Sequence, residues 1–279
     1  MPGLRRTPAI FWRRSVTFTI LASGSEGNAA LLTTDTTRLL IDCGLSAKEL
    51  TRRMAQIDQP PLGAPDGDAI LLSHAHSDHG GSLGVVLNGV KKRGGSVPIY
   101  CTAGCFSRLD FGRIERPDWR QVVAGLQFTV GDIAVYPFTT PHDDPDPVSF
   151  VFMVGGVKIG FAVDLGFIPP FMVRQFSDCH IIVLESNYDA GMLESGSYTQ
   201  ELKDRISGPM GHLSNDQVGE YLATEKPNAI TVVLTHLSQE NNTVQIAEWS
   251  ARRALLRAGS DARLLVASQS EVLKVWGYE

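Results

Sequence analysis

The chain has 279 residues, 43% of them apolar, with 27 glycines and 15 prolines; it is long enough to bury a core without disulfide staples, and too apolar for a disordered or collagen-like chain. Its 25 Lys and Arg against 30 Asp and Glu leave a net charge of −5, which does not advertise a nucleic-acid binder but leaves room for a local basic groove. No apolar run approaches the ~18–20 residues of a membrane helix. The first fifteen residues carry Arg5, Arg6, Arg13 and Arg14 without the apolar stretch of a secretory signal. Residues 1–15 therefore read as a disordered basic extension, and 16–279 as one domain. Cys43, Cys101, Cys105 and Cys179 have no Cys-x-x-Cys spacing, so neither a structural zinc nor a disulfide framework is signalled. Reduced thiols in a cytoplasmic protein are expected.

In chain order, alternation predicts a strand over 16–22, then a hairpin of 29–34 and 38–42 around Asp35-Thr36-Thr37. Ser46 and Glu49 form a capping-box pattern opening a helix to about Ile57. A buried strand follows at 69–73, then a glycine-weakened helix over 78–92. Further strands are expected at 97–101, 127–130 and 133–138, and a hairpin of 149–154 and 157–163 turns at Gly155-Gly156. Strands at 181–185 and 229–235 each run into a polar segment. Ser214 and Gln217 open a second capped helix to Lys226. The longest helix, 242–258, sets Val244, Ala247, Ala251, Ala254 and Leu255 on one face, and 263–267 is the last strand. Two runs of strands, each with helices after them, predict two sheets packed face to face with helices outside.

The densest chemical signal is His74-Ala75-His76-Ser77-Asp78-His79, at the junction of a buried strand and a helix. In extended chain His74 and His76 point to one side, while Asp78 and His79 lie past the turn. This spacing suits two adjacent metals better than one tetrahedral centre. Imidazole and carboxylate donors suit zinc, manganese or iron. His142, Asp164 and His236 each end a predicted strand and fit the same centre, as functional groups on loops at one edge of a scaffold. His180 precedes a strand without a partner in this pattern and reads as structural. The glycine-rich loop 23–28 reads as a tight turn. Asn187, Asn241 and Asn242 follow strands near the site, as substrate contacts or as support for the ligands. Lys91-Lys92-Arg93 and Arg252, Arg253 and Arg257 read as solvated faces that could meet a nucleic-acid backbone.

This constellation resembles the metallo-β-lactamase fold, whose metal ligands arrive in the same order. The stretches LASGSEGNA (21–29), IDCGLSAKEL (41–50), LESNYDAGML (184–193), GPMGHLSN (208–215) and LTHLSQENN (234–242) resemble its YycJ/WalJ-like branch, related to PhnP, tRNase Z and RNase J. The resemblance implies an αββα sandwich of two mixed sheets with outer helices and a two-metal site. His74, His76 and His142 would hold one ion, Asp78, His79 and His236 the other, with Asp164 between. Two divalent ions ~3.5–4 Å apart can hold a hydroxide for in-line attack on a phosphodiester. Glu185 and His212 resemble a carboxylate–imidazole pair of tRNase Z-like relatives. Such a pair keeps the imidazole a donor, able to stabilise the phosphate or protonate the leaving oxygen. His212 also rivals His236 for the last metal position; the latter is preferred because it ends a strongly apolar strand. Asp78 is a candidate to hold the nucleophile in line. The expected function is a metal-dependent phosphodiester hydrolase, a DNA exonuclease in first place. Nucleic acid, DNA before RNA, or a small phosphodiester is the expected partner. The alternative is a small-molecule hydrolase of the same fold: a cyclic phosphodiesterase, thioesterase or lactonase.

Overall fold

The computed structural model describes residues 15–63 and 67–277, so the expected basic extension, all but Ser15, lies outside the described residues. β1 (Thr17–Ala22), β2 (Ala29–Thr33) and β3 (Arg38–Ile41) form where alternation places them. α1 (Ala47–Ala55) is capped by Ser46, whose side chain accepts from the Glu49 N–H. Only half of that capping box forms, because Arg52 and Arg53 take the Glu49 carboxylate. After β4 (Asp68–Leu71) the expected helix is two, α2 (Ser77–Gly80) and α3 (Leu83–Lys92), parted at Gly81-Ser82. β5 (Ile99–Cys101), α4 (Ala103–Arg108) and β6 (Trp119–Gln121) follow, the last two without a periodic signal in the sequence.

The second half opens with β7 (Phe128–Val130), β8 (Ile133–Thr139) and the hairpin of β9 (Val148–Val154) and β10 (Val157–Ala162). α5 (Pro170–Phe176), β11 (Ile181–Glu185), α6 (Ala190–Ser195) and α7 (Gln200–Ser207) come next. α8 (Asn215–Thr224) carries the complete Ser214/Gln217 capping box and leads to β12 (Thr231–Thr235). α9 (Val244–Ala258) buries Ala247, Ala251, Ala254 and Leu255, whereas Val244, at the first turn, stays exposed. β13 (Arg263–Val266) is not the last strand: β14 (Leu273–Trp276) crosses to the other sheet and pairs antiparallel with β1.

The strands make two seven-stranded sheets, β14-β1-β2-β3-β4-β5-β6 and β13-β12-β11-β10-β9-β8-β7. Strand period divides the apolar side chains between layers. Leu39, Ile41, Ile181 and Val183 fill the core between the sheets. Leu40 and Ile70 face the layer with α1 and α3, and Ile182, Leu184, Val232 and Leu234 face α8 and α9. Burial on both faces is why β4, β11 and β12 read as continuous apolar runs.

Strand direction decides where the chemistry collects. β3 to β6 are mutually parallel, as are β10 to β13. β1 and β8 are each one antiparallel step removed from an antiparallel neighbour, so they run with those sets. The loops after β1, β3, β4, β8, β10 and β12 therefore open at carboxyl ends, where an α/β scaffold leaves a crevice.

Candidate metal centre

Five of the seven expected ligands come from those loops, and the other two, Asp78 and His79, sit on α2 beside them. Asp42, Asp164 and His236 all take left-handed backbone at their strand ends, with φ of 61°, 53° and 54°. Such geometry costs about 1–3 kcal/mol per residue and persists where the surroundings hold it, commonly at functional sites. Gly44 lets the chain pass under α2: a Cβ there would lie 1.7 Å from the Asp78 carbonyl oxygen.

Donor atoms of His74, His76 and His142 lie within 4.8 Å of one another, as do those of Asp78, His79 and His236 and those of His74, His79 and Asp164. The first trio shows what would bind it. His142 Nδ1 faces the Gly211 carbonyl at 3.2 Å, which can only accept, so Nε2 carries a lone pair. That Nε2 faces His76 Nδ1 at 3.2 Å. His74 Nε2 is buried with no hydrogen-bond partner. Imidazole nitrogens gathered this closely at the floor of a cleft fit a cation. Burial pushes the His74 and His142 imidazoles below their ordinary pKa, keeping them neutral and able to ligate.

The second trio is built on carboxylates. His79 Nδ1 donates to Asp42 Oδ2 at 2.8 Å, which aims Nε2 at Asp164 Oδ2, 2.7 Å away. Asp42 is in turn fixed by the N–H and hydroxyl of Ser73, at 2.8 and 2.9 Å. A carboxylate behind a ligating histidine sets its orientation and basicity. Asp78 Oδ2 lies 3.2 Å from His236 Nε2 and 3.2 Å from Asn28 Nδ2. Burial opposes charge on His79 and His236, but Asp164 and its companion carboxylates outweigh it; His79 is held well above the ordinary range and His236 is raised to about 9. The same imidazoles hold Asp164 and Asp78 below the carboxylate range despite their burial. Cations entering this half would displace protons. Asp164, 2% exposed, reaches both halves, with Oδ2 3.7 Å from His74 Nε2 as well as beside His79.

His212 lies at the mouth. Its Nδ1 is 2.9 Å from Glu185 Oε2 and 3.1 Å from Asp164 Oδ1, and its ring stacks on His236 at 5.4 Å. Burial opposes its charge, but Glu185 and Asp164 hold it well above the ordinary imidazole range. Its side chain is 21% exposed against 4% for His236. Glu185 is fully buried and also accepts the N–H groups of Asp164, Leu165 and Leu213 at 3.2, 3.2 and 2.7 Å. It therefore positions both His212 and the Asp164 turn and does not itself reach the cleft.

Of the other sequence candidates, Asn187 and Asn242 support the site. Asn187 Nδ2 lies 3.1 Å from His236 Nδ1 and donates to its carbonyl at 2.8 Å. Asn242 Nδ2 donates to the carbonyls of Ser186 and Asn187. Loop 23–28 is a tight turn: the Gly24 and Gly27 amides donate within it, and those of Glu26 and Asn28 donate to Gln269 Oε1 and the Asp78 carbonyl. His180 Nδ1 accepts the Lys158 N–H. Arg252 pairs with Glu248, and Arg253 stacks on Trp249. Asp42, Asn28 and the Gly211 carbonyl went unread in the sequence, although Asp42 ends a predicted strand inside IDCG.

An αββα frame with this histidine–aspartate cluster across its carboxyl edge is that of the metallo-β-lactamases. The profile of the beta-lactamase superfamily domain matches residues 37–237; the chain belongs to that superfamily and is a metal-dependent hydrolase. It is 32% identical over 246 residues to the exodeoxyribonuclease WalJ of Streptococcus pneumoniae serotype 2 (strain D39), covering 86% of this chain and 88% of that one. It is likewise 32% identical over 247 residues to the exodeoxyribonuclease YycJ of Bacillus anthracis, covering 87% and 90%. Among solved structures, the metallo-β-lactamase fold protein YhfI from Bacillus subtilis matches with a TM-score of 0.70 and 16% identity, over 92% of this chain and 98% of that one. No helix among the described residues is long and apolar enough to cross a membrane.

Proposed function

We propose that this chain is an exodeoxyribonuclease working through two divalent ions, zinc or manganese before iron, at the His74/His76/His142 and Asp78/His79/His236 positions, with Asp164 between them. The observation that carries the reading is the gathering of donor atoms from His74, His76 and His142 within 4.8 Å of one another, beside the Asp164 carboxylate that also reaches His79. The likeness to two exodeoxyribonucleases over most of the chain supports DNA as substrate. Divalent ions there would supply positive charge for the phosphate oxygens and a water acidified toward neutral pH. Asp78, which lines the cleft, accepts from the attacking water and holds it in line. His212, fixed through Nδ1 by Glu185, presents Nε2 to the phosphate or the leaving oxygen. Four buried, unpaired thiols support a reducing, cytoplasmic setting.

The test incubates manganese- and zinc-loaded protein with end-labelled DNA, end-labelled RNA and bis(p-nitrophenyl) phosphate in parallel. Mononucleotides released progressively from DNA are expected. Hydrolysis of the nitrophenyl ester with both polymers intact would move the function to small phosphodiesters.

A further inference from the structure

α7 is the wall of the cleft that no sequence motif announces. The cleft, of about 210 Å³, is lined by His76, Asp78, His142, Asp164 and His212 on the metal side, and by Leu202, Arg205 and Ile206 of α7 on the other. Arg205 is the only Lys or Arg among the lining residues. Its Nε donates to Asp143 Oδ2 at 2.7 Å, and the other oxygen of that carboxylate lies 3.5 Å from His142 Nε2 and 3.7 Å from His76 Nε2. One carboxylate group thus links Arg205 to the histidine cluster, which puts the guanidinium one anionic group away from the ligand atoms. α7 is held in register with the chemistry, since the His212 N–H donates to the Ile206 carbonyl at 2.8 Å. Gly211 permits this closeness: a Cβ there would lie 2.2 Å from the carbonyl oxygens of Arg205 and Ile206.

Resting on the nuclease reading above, we propose that Arg205 is a substrate-positioning residue for the phosphate next to the scissile one, and that Asp143 occupies its place until substrate arrives. The substrate class this selects is an oligonucleotide strand with at least two phosphates, in preference to a cyclic or single-phosphate ester. A guanidinium matches a phosphate in fork geometry as well as it matches a carboxylate, so the exchange swaps one anion for another. Leu202 and Ile206 on the same wall offer apolar surface to the sugar or base between the two phosphates.

The experiment compares wild-type, Arg205→Ala and Arg205→Lys holoenzymes on a series from dinucleotide to dodecanucleotide and on bis(p-nitrophenyl) phosphate. Arg205→Ala should raise KM for oligonucleotides carrying a second phosphate by about 10–100-fold, the usual worth of a hydrogen bond to a charged group, with kcat little changed. The rise should be far smaller on the single-phosphate ester. The slope of log KM against log salt should fall by about one, the signature of one lost phosphate contact, and Lys should restore the slope but only part of KM. Asp143→Asn, which frees Arg205, should lower KM for oligonucleotides, and Arg205→Ala should cancel that gain. Equal losses on ester and oligonucleotide, or an oligonucleotide KM indifferent to Arg205→Ala, would end the assignment and leave the nuclease reading standing. An enzyme that turns over the ester but no oligonucleotide would end both.

Discussion

The rivalry between His212 and His236 yields the sharpest prediction, because the two rings stack at 5.4 Å yet are assigned different work. His236→Ala removes a side chain 4% exposed whose Nε2 stands 3.2 Å from Asp78 Oδ2. Losing even an outer partner of a ligand costs typically 10–100-fold in metal affinity, so losing the donor itself should cost at least that. The variant should emerge from gel filtration with its second ion depleted. His212→Ala leaves the His74/His76/His142 and Asp78/His79/His236 groups complete and takes a donor only from the cluster His212 makes with Asp164, Glu185 and His236; it removes the imidazole that Glu185 fixes at the cleft. Metal content should hold while kcat falls ~10²–10⁴-fold, the range for general acid catalysis, or about 2.7–5.5 kcal/mol on the barrier. Elemental analysis and kcat on an oligonucleotide and on bis(p-nitrophenyl) phosphate read out both effects. Nitrophenolate leaves without a proton, so the deficit should shrink on the ester. Metal loss in His212→Ala with retention in His236→Ala would refute the assignment, and equal deficits on both substrates would refute the acid role.

Glu185→Gln should do more than imitate His212→Ala. It sets an amide against the N–H groups of Asp164, Leu165 and Leu213, where a buried unsatisfied group costs about 1–3 kcal/mol. A lower Tm together with reduced metal content is expected, and an unchanged Tm would show that the carboxylate serves His212 alone. Asp42→Ala should loosen the ion at the second position by about 10–100-fold in a chelator titration, because nothing else fixes His79 Nδ1 so directly; equal affinity in variant and wild type would remove it from the site. Burial pushes the Cys43 and Cys179 thiols up to about 12, and the hydrogen bond with Cys101, together with burial, raises Cys105. Native protein at pH 8 should therefore resist iodoacetamide and label fully only in denaturant, and fast native labelling would contradict that packing.

Much of the site was legible because its residues are consecutive or end apolar strands. His74 to His79 fall within six positions, and β10 and β12 announce themselves by burial on both faces, so Asp164 and His236 stood out where those runs stop. The two sheets followed from two runs of period-two segments, and the Ser214/Gln217 box fixed the start of α8. Local chemistry of this kind is written in neighbouring residues. Other features depend on contacts between residues far apart in the chain, which no local period records. Asp42 reaches His79 across 37 positions and Arg205 reaches Asp143 across 62. α7 buries none of its own residues and so lacks the apolar stripe by which a helix is read. β14 belongs to the first sheet only because it pairs with β1 at the other end of the chain. The sequence by itself pointed to the groups that gather at the candidate site and to the kind of element each one sits on. The tertiary structure alone decided which carboxylate stands behind which imidazole and what lines the far wall of the cleft, since those depend on how the layers dock.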